Sequence, residues 1–192
     1  MSRIIAGSRG GQRLTVPGHG GTRPTTDRVR EAGFSVIGSR VGSAGPPEEQ
    51  LAGLAFLDLY AGSGAVALEA ASRGAAPVTC VESDARARAA IRRNAEETRL
   101  RVGVVSSSVT RFLEQPGPAV DIVWLDPPYD RPAGDVDGDV ARLAAGRLRP
   151  GALVVVERSA RSAPVSWPQA IGETWNRRYG ETTLYFGIEG AR

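Results

Sequence analysis

The hydrophobic pattern of this chain changes character near residue 54. Downstream of that point, short apolar runs alternate with amphipathic stretches: LAFLDLY (54–60), PVTCVES (77–83), RVGVVSS (101–107), VDIVWLD (120–126) and ALVVVER (152–158) are separated by segments such as GAVALEAASRG and DARARAAIRRNAEETRL, with shorter helical patterns at SVTRFLEQ and GDVARLAAGRLR. Near-continuous apolar runs are the mark of strands buried on both faces, and strands alternating with helices predict a parallel sheet covered on two sides. ETWNRRYG and ETTLYFGI meet at Gly180 and predict an antiparallel hairpin at one edge. Upstream, RIIAG (3–7) and GQRLTV (11–16), joined through SRG, predict a second hairpin. The glycine- and proline-rich PGHGGTRP (17–24) predicts a loop, which holds the only histidine, His19. DRVREAGFSVIGSR predicts a helix that opens after Thr25 or Thr26 and places Val29, Gly33, Val36 and Ile37 on one face. VGSAGPPEEQ then breaks the chain again.

At 192 residues the chain suits one domain with a small appendage, expected as an arm over 1–22 and a catalytic domain over 23–192. Hydrophobic residues at 41% and charged residues at 23% exclude disorder as the default. No apolar stretch approaches the roughly 20 residues that span a bilayer, and MSRIIAGSRGG lacks a secretory hydrophobic region. A cytoplasmic protein without a membrane partner is expected. Cys80 is the single cysteine and falls inside an apolar run, so neither a disulfide nor a Cys/His metal site is expected. All 24 basic residues are arginine, and they are unevenly spread: residues 1–45 carry a net of +5, the remainder −2. That concentration suits a polyanionic partner.

The first buried run leads through FLDLYAGSGAVALEAA (56–71) from strand to helix. Gly62 and Gly64 allow backbone conformations and close ligand approach that a side chain forbids, and the helix that follows offers unpaired N–H groups. GSGAVA also satisfies the dinucleotide fingerprint, with Glu82 at a plausible distance to hold ribose hydroxyls, so a nicotinamide oxidoreductase is an alternative here. Charge separates the two. Asp58, just before the loop, would repel a pyrophosphate but attract the ammonium and sulfonium of S-adenosylmethionine.

VDIVWLD ends in DPPY (126–129), which the topology of such a sheet aims into the ligand crevice. Four specified residues recur by chance in about one chain of this size in a thousand. An exocyclic amino group on a nucleobase is a poor nucleophile because its lone pair is delocalised into the ring. Two acceptors on its N–H bonds rotate that lone pair out of conjugation. The Asp126 carboxylate and the Pro127 carbonyl can be those acceptors, Pro127 and Pro128 lock the backbone that aims them, and Tyr129 offers a face on which a splayed base stacks.

With these residues in view, the chain resembles class I S-adenosylmethionine-dependent methyltransferases carrying a D-P-P-Y amino-methylation motif, and most closely the RsmD family of 16S ribosomal RNA (guanine-N2)-methyltransferases. RIIAG, GQRL, TRPTTDRVREAGFSVI, FLDLYAGSGAVALEAASRGA and DIVWLDPPY carry the resemblance over nearly the whole chain. It implies a Rossmann-like α/β fold with a seven-stranded, mostly parallel sheet whose last strand is antiparallel, preceded by a β-hairpin arm that contacts RNA through Arg3, Arg9, Arg13 and Arg23. By motif position Asp58, Tyr60, Gly62 and Gly64 would hold the methionine part of the cofactor, Glu82 the ribose, and Ser108 or Val109 the adenine. Asp126, Pro127, Pro128 and Tyr129 would engage guanine 966 of 16S ribosomal RNA, within an assembling small subunit. A monomer that releases S-adenosylhomocysteine and needs no metal is expected. Two positions depart from the pattern: Ser108 stands where Asp or Asn often binds the adenine amino group, and Gly33 replaces a bulkier helix residue, at about 1 kcal/mol of helix propensity. Adenine amino-methylation in DNA or RNA is the nearest alternative; protein glutamine methylation, which more often shows Asn at the place of Asp126, and an RNA chaperone built on the arm stand further off.

Overall fold

In a computed structural model, which describes residues 2–16, 26–42 and 45–190, the chain opens with β1 (Ser2–Arg3) paired antiparallel to β2 (Arg13–Leu14). The hairpin is where the glycine-containing spacing predicts it, but only two residue pairs long. Helix α1 (Asp27–Val41) follows, capped by Thr26, whose side chain accepts the Val29 N–H. Strands and helices then alternate: β3 (Phe56–Leu59), α2 (Ala65–Ser72), β4 (Val78–Glu82), α3 (Ala85–Thr98), β5 (Gly103–Ser106), α4 (Val109–Glu114), β6 (Val120–Leu125), α5 (Ala133–Gly146) and β7 (Leu148–Ser159). The hairpin of β8 (Ile171–Tyr179) and β9 (Thr182–Glu189) closes the chain. PGHGGTRP, with His19 and Arg23, lies outside the described residues.

Strands β3 to β9 form one sheet in the order β5-β4-β3-β6-β7-β9-β8. β9 runs antiparallel to both of its neighbours, and the other pairings are parallel. This is the predicted seven-stranded, mostly parallel sheet with its last strand reversed. Two boundaries differ from the hydrophobic pattern. β7 begins at Leu148 rather than Ala152, and α5 begins at Ala133 rather than near Gly138. The β7 extension is largely exposed and the α5 extension buries only Val136, so backbone hydrogen bonds define them and hydropathy does not register them.

Alternate residues of each central strand supply two cores. Phe56, Ile122, Trp124 and Val155 pack with α1, α2 and α3 on one face; Leu57, Leu59, Val123, Leu125 and Val156 pack with α4 and α5 on the other. On the first face Phe34 stacks between Phe56 and Trp124, with centroids 6.0 and 5.9 Å away. Gly33 makes room for this stack: a Cβ there would stand 2.3 Å from the Trp124 ring. The lost helix propensity is therefore offset by seating the largest side chain of the core.

The N-terminal hairpin is fastened to the body. Ile4 and Leu14 pack on Leu68 of α2. The buried Glu69 carboxylate accepts the N–H groups of Ile5 (2.6 Å) and Ala6 (3.0 Å) and pairs with Arg73 at 2.8 Å. The fully buried Arg30 of α1 ties Asp27 to Ser2 Oγ and the Arg3 carbonyl. The expected RNA-contacting arginines are unequal in this setting. Arg13 is exposed, Arg3 lies 3.9 Å from Asp27, and Arg9 Nε donates to the Thr98 carbonyl at 2.7 Å, capping the end of α3.

Candidate active site

The carboxyl ends of β3, β4, β5 and β6 lie side by side, so the motifs that follow them meet in one crevice. Tyr60 (φ +64), Gly62 (φ +53) and Gly64 (φ +77) all adopt left-handed backbone conformations, and α2 starts directly after them. Left-handed φ is unfavourable for a non-glycine residue, and Tyr60 is held there by contacts described below. A Cβ on Gly62 would meet no heavy atom within 4 Å, so the loop borders open space; one on Gly64 would press on Ile91 at 3.1 Å. Gly62 leaves room for a ligand to approach the backbone, and Gly64 keeps the loop seated on α3.

Asp58 sits beneath this loop, 1% exposed, and its carboxylate accepts the Ala67 N–H at 3.0 Å in the first turn of α2. Burial pushes its pKa well above the usual carboxylate range, against the lowering effect of that hydrogen bond, and the nearby charges of Asp126 and Glu82 raise it further. Glu82, at the end of β4, accepts the N–H groups of Gly62 and Asp84, each at 2.8 Å. It is thereby fixed at the lip of the glycine loop. Three carboxylates from three strand ends thus converge on a crevice whose glycine loop borders open space, an environment that favours a cationic occupant.

The Asp126 N–H donates to the Leu59 carbonyl at 3.3 Å, which sets DPPY directly beside the glycine loop. The Arg131 N–H closes the turn on the Pro128 carbonyl at 3.0 Å, while among the described residues no backbone N–H is bonded to the Pro127 carbonyl. Tyr129 is 43% exposed, alone among the large hydrophobic side chains described in being so. At the end of β5, the Ser108 side chain accepts the Arg111 N–H at 3.4 Å and so caps α4, and Val109 is buried. Ser108 is occupied as a helix cap, which leaves backbone groups as the better partners for an adenine.

One element of the site has no clear signal in the sequence. Asp139, fully buried on α5, accepts hydrogen bonds from the Tyr60 hydroxyl (2.5 Å), Thr110 Oγ1 (2.8 Å) and Arg131 Nη2 (3.0 Å). The Arg131 guanidinium also lies 5.4 Å from the centre of the Tyr60 ring. Burial first, and then the Asp139 hydrogen bond, raise the Tyr60 pKa, so its hydroxyl stays a donor. A single carboxylate joins the glycine loop, the first turn of α4 and the turn after β6. The only hint in the sequence is an acid inside an amphipathic helix, which ordinarily marks a solvated face.

Comparison with known proteins covers most of the chain. The family model described as "Conserved hypothetical protein 95" matches residues 2–188. A curated Escherichia coli (strain K12) protein named "Ribosomal RNA small subunit methyltransferase D" is 36% identical over 173 residues, which cover 86% of this chain and 80% of that protein. Among solved structures, one titled a putative methyltransferase from Escherichia coli superposes with a TM-score of 0.83 at 32% identity, covering 99% of this chain and 98% of that one. The Thermus thermophilus 16S rRNA N2 methyltransferase RsmC, in complex with AdoMet and guanosine, superposes with a TM-score of 0.67 at 25% identity, covering 88% of this chain and 44% of that one.

Proposed function

The chain belongs to the family described as conserved hypothetical protein 95, the RsmD family, and on that premise we propose that it transfers a methyl group from S-adenosylmethionine to the exocyclic 2-amino group of a guanine in small-subunit 16S ribosomal RNA. Guanine 966 is the position that the family resemblance assigns. The observation that carries the reading is the hydrogen bond from the Asp126 N–H to the Leu59 carbonyl, which sets an amine-orienting turn against a loop suited to a cationic cofactor. Guanine is favoured over adenine by the likeness to RsmC, named an N2 methyltransferase and solved with guanosine. A dinucleotide is disfavoured by the Glu82 and Asp126 carboxylates that meet above Asp58, which would repel its pyrophosphate.

S-adenosylmethionine supplies an electrophilic methyl group on a cationic sulfur. The residues that would hold it are the loop of Tyr60, Gly62 and Gly64, with Glu82 on the ribose hydroxyls and backbone groups near Val109 on the adenine. Asp58 anchors the loop through Ala67 and would carry negative charge once a cationic cofactor draws it into its ionised form. The carboxylate of Asp126 accepts one N–H of the guanine amino group and the Pro127 carbonyl the other, which turns the nitrogen lone pair toward the methyl. Tyr129 stacks on the base, an interaction worth about 1–3 kcal/mol. Once the nitrogen is alkylated and cationic, Asp126 takes its extra proton. Orientation supplies most of the rate, with no covalent enzyme intermediate.

Asp126→Ala is expected to lower methyl transfer to unmodified 16S ribosomal RNA by at least about a hundredfold while RNA affinity persists. Unchanged methylation by the purified variant would overturn the mechanism. Mapping the product nucleotide tests both the guanine amino group and position 966.

A further inference from the structure

The crevice continues past the DPPY turn. Beyond β6, the carboxyl end of β7, the β8–β9 turn and the first turn of α1 enclose a groove of about 710 Å³, lined in part by Tyr129. It is therefore contiguous with the candidate base site through a shared aromatic ring. Its polarity is layered. Arg28 and Arg178 are exposed, and the Arg161 side chain is 88% exposed, whereas the Glu157 carboxylate belongs to a residue that is 2% exposed. Among the described residues, exposed cations at the mouth suit a ligand that keeps its phosphates outward. Tyr179, half-buried, adds a second ring to the lining. Arg161 pairs with Glu181 at 3.5 Å, with 88% and 72% of the two side chains exposed, a pairing loose enough for a phosphate to replace.

Aromatic rings interleaved with guanidinium groups along a groove fit a single strand rather than a duplex, because duplex pairing hides the base faces that the rings would stack on. The carboxyl edge of the sheet then divides three ways: cofactor over β5, β4 and β3, target base at β6, and strand over β7, β9 and β8. Resting on the reading of the site as an RNA amino-methyltransferase, we propose that this groove holds the nucleotides that flank the target guanine as a single strand. Arg28 and Arg178 neutralise their phosphates, and Tyr179 stacks a flanking base.

The test uses the full-length protein, unmodified 16S ribosomal RNA and the double variant Arg28→Ala/Arg178→Ala, whose truncated side chains are both exposed and outside the catalytic residues. The expected result is a rise of about tenfold or more in KM for RNA, with kcat and S-adenosylmethionine affinity unchanged. The slope of log affinity against log salt should shrink by about 0.7 for each phosphate that is no longer neutralised. Arg161→Glu, which reverses a charge without emptying the groove, should weaken RNA binding further. Unchanged KM and salt slope in the double variant would overturn the groove assignment. So would a defect seen on the assembled small subunit but not on naked RNA, since the groove would then touch protein. The wild-type protein, assayed in parallel, separates this from the proposed function: absent guanine methylation by wild type rejects the activity, whereas active wild type with unaffected variants rejects the groove alone.

Discussion

Asp58 illustrates how a single buried carboxylate can limit stability. Its raised folded-state pKa means that folding favours the protonated acid, so ionisation opposes the fold: stability falls as pH rises from the ordinary carboxylate range through the elevated native value. A cationic cofactor reverses the preference, and its binding should release a proton and tighten as pH rises through that native value. Asp58→Asn, which keeps an acceptor for the Ala67 N–H, is expected to melt at a higher temperature than wild type at neutral pH yet bind S-adenosylmethionine more weakly. Thermal unfolding with calorimetric titration checks both halves, and a variant that is less stable at neutral pH would refute the account. Gly33 presents the opposite trade. Gly33→Ala gains about 1 kcal/mol of helix propensity but forces the Trp124 ring to move, and overpacking costs about 1–3 kcal/mol, so net destabilisation in denaturant unfolding is expected. The sequence shows the glycine as a blemish in a helix, because the ring that needs its space lies 91 positions away.

Among the elements, the loops of the site were the most legible and their supports the least. The glycine loop and DPPY announce themselves through residue types that only special backbone geometry requires, and Glu82 follows from its place at the end of a buried run. Asp139 has no such signature. Asp139→Asn weakens the pairing with Arg131 and disturbs the bonds from Tyr60 and Thr110, so kcat/KM should fall by about 10- to 100-fold with helical content retained. An equal loss in Tyr60→Phe, Thr110→Val and Arg131→Ala would point to the shared junction, whereas an unaffected Asp139→Asn would exclude it. The hairpin's attachment was equally hidden. Asn94 of α3 accepts the Thr15 N–H at 2.8 Å and donates to the carbonyls of Thr15 and Ser63, so the arm is tied to the glycine loop through one buried amide. Arg9→Ala is expected to lower stability by about 1 kcal/mol in urea unfolding because the Thr98 carbonyl loses its partner, an effect that must be subtracted before any change in RNA affinity is read as direct binding.

For the whole molecule, the proposed cofactor and strand sites are separate halves of one sheet edge, so ligand binding would act on a single folded body. The loops proposed to hold S-adenosylhomocysteine exist only in the native state, so product at about 100 times its Kd should add about 2.7 kcal/mol of stability, measurable as a higher melting temperature. The mostly parallel sheet, its antiparallel closing hairpin and the meeting of DPPY with the glycine loop were readable in the chain, since alternating buried strands and helices admit few right-handed arrangements. By itself the sequence determined the local chemistry: which turns bend, which strands are buried, and which acids and glycines stand at the strand ends. Only the tertiary structure decided which polar residues converge, how the arm is fastened, and that Tyr129 borders a groove beyond the motif. Those are meetings between positions far apart in the chain, and neither periodicity nor residue type records a partner that the fold alone brings near.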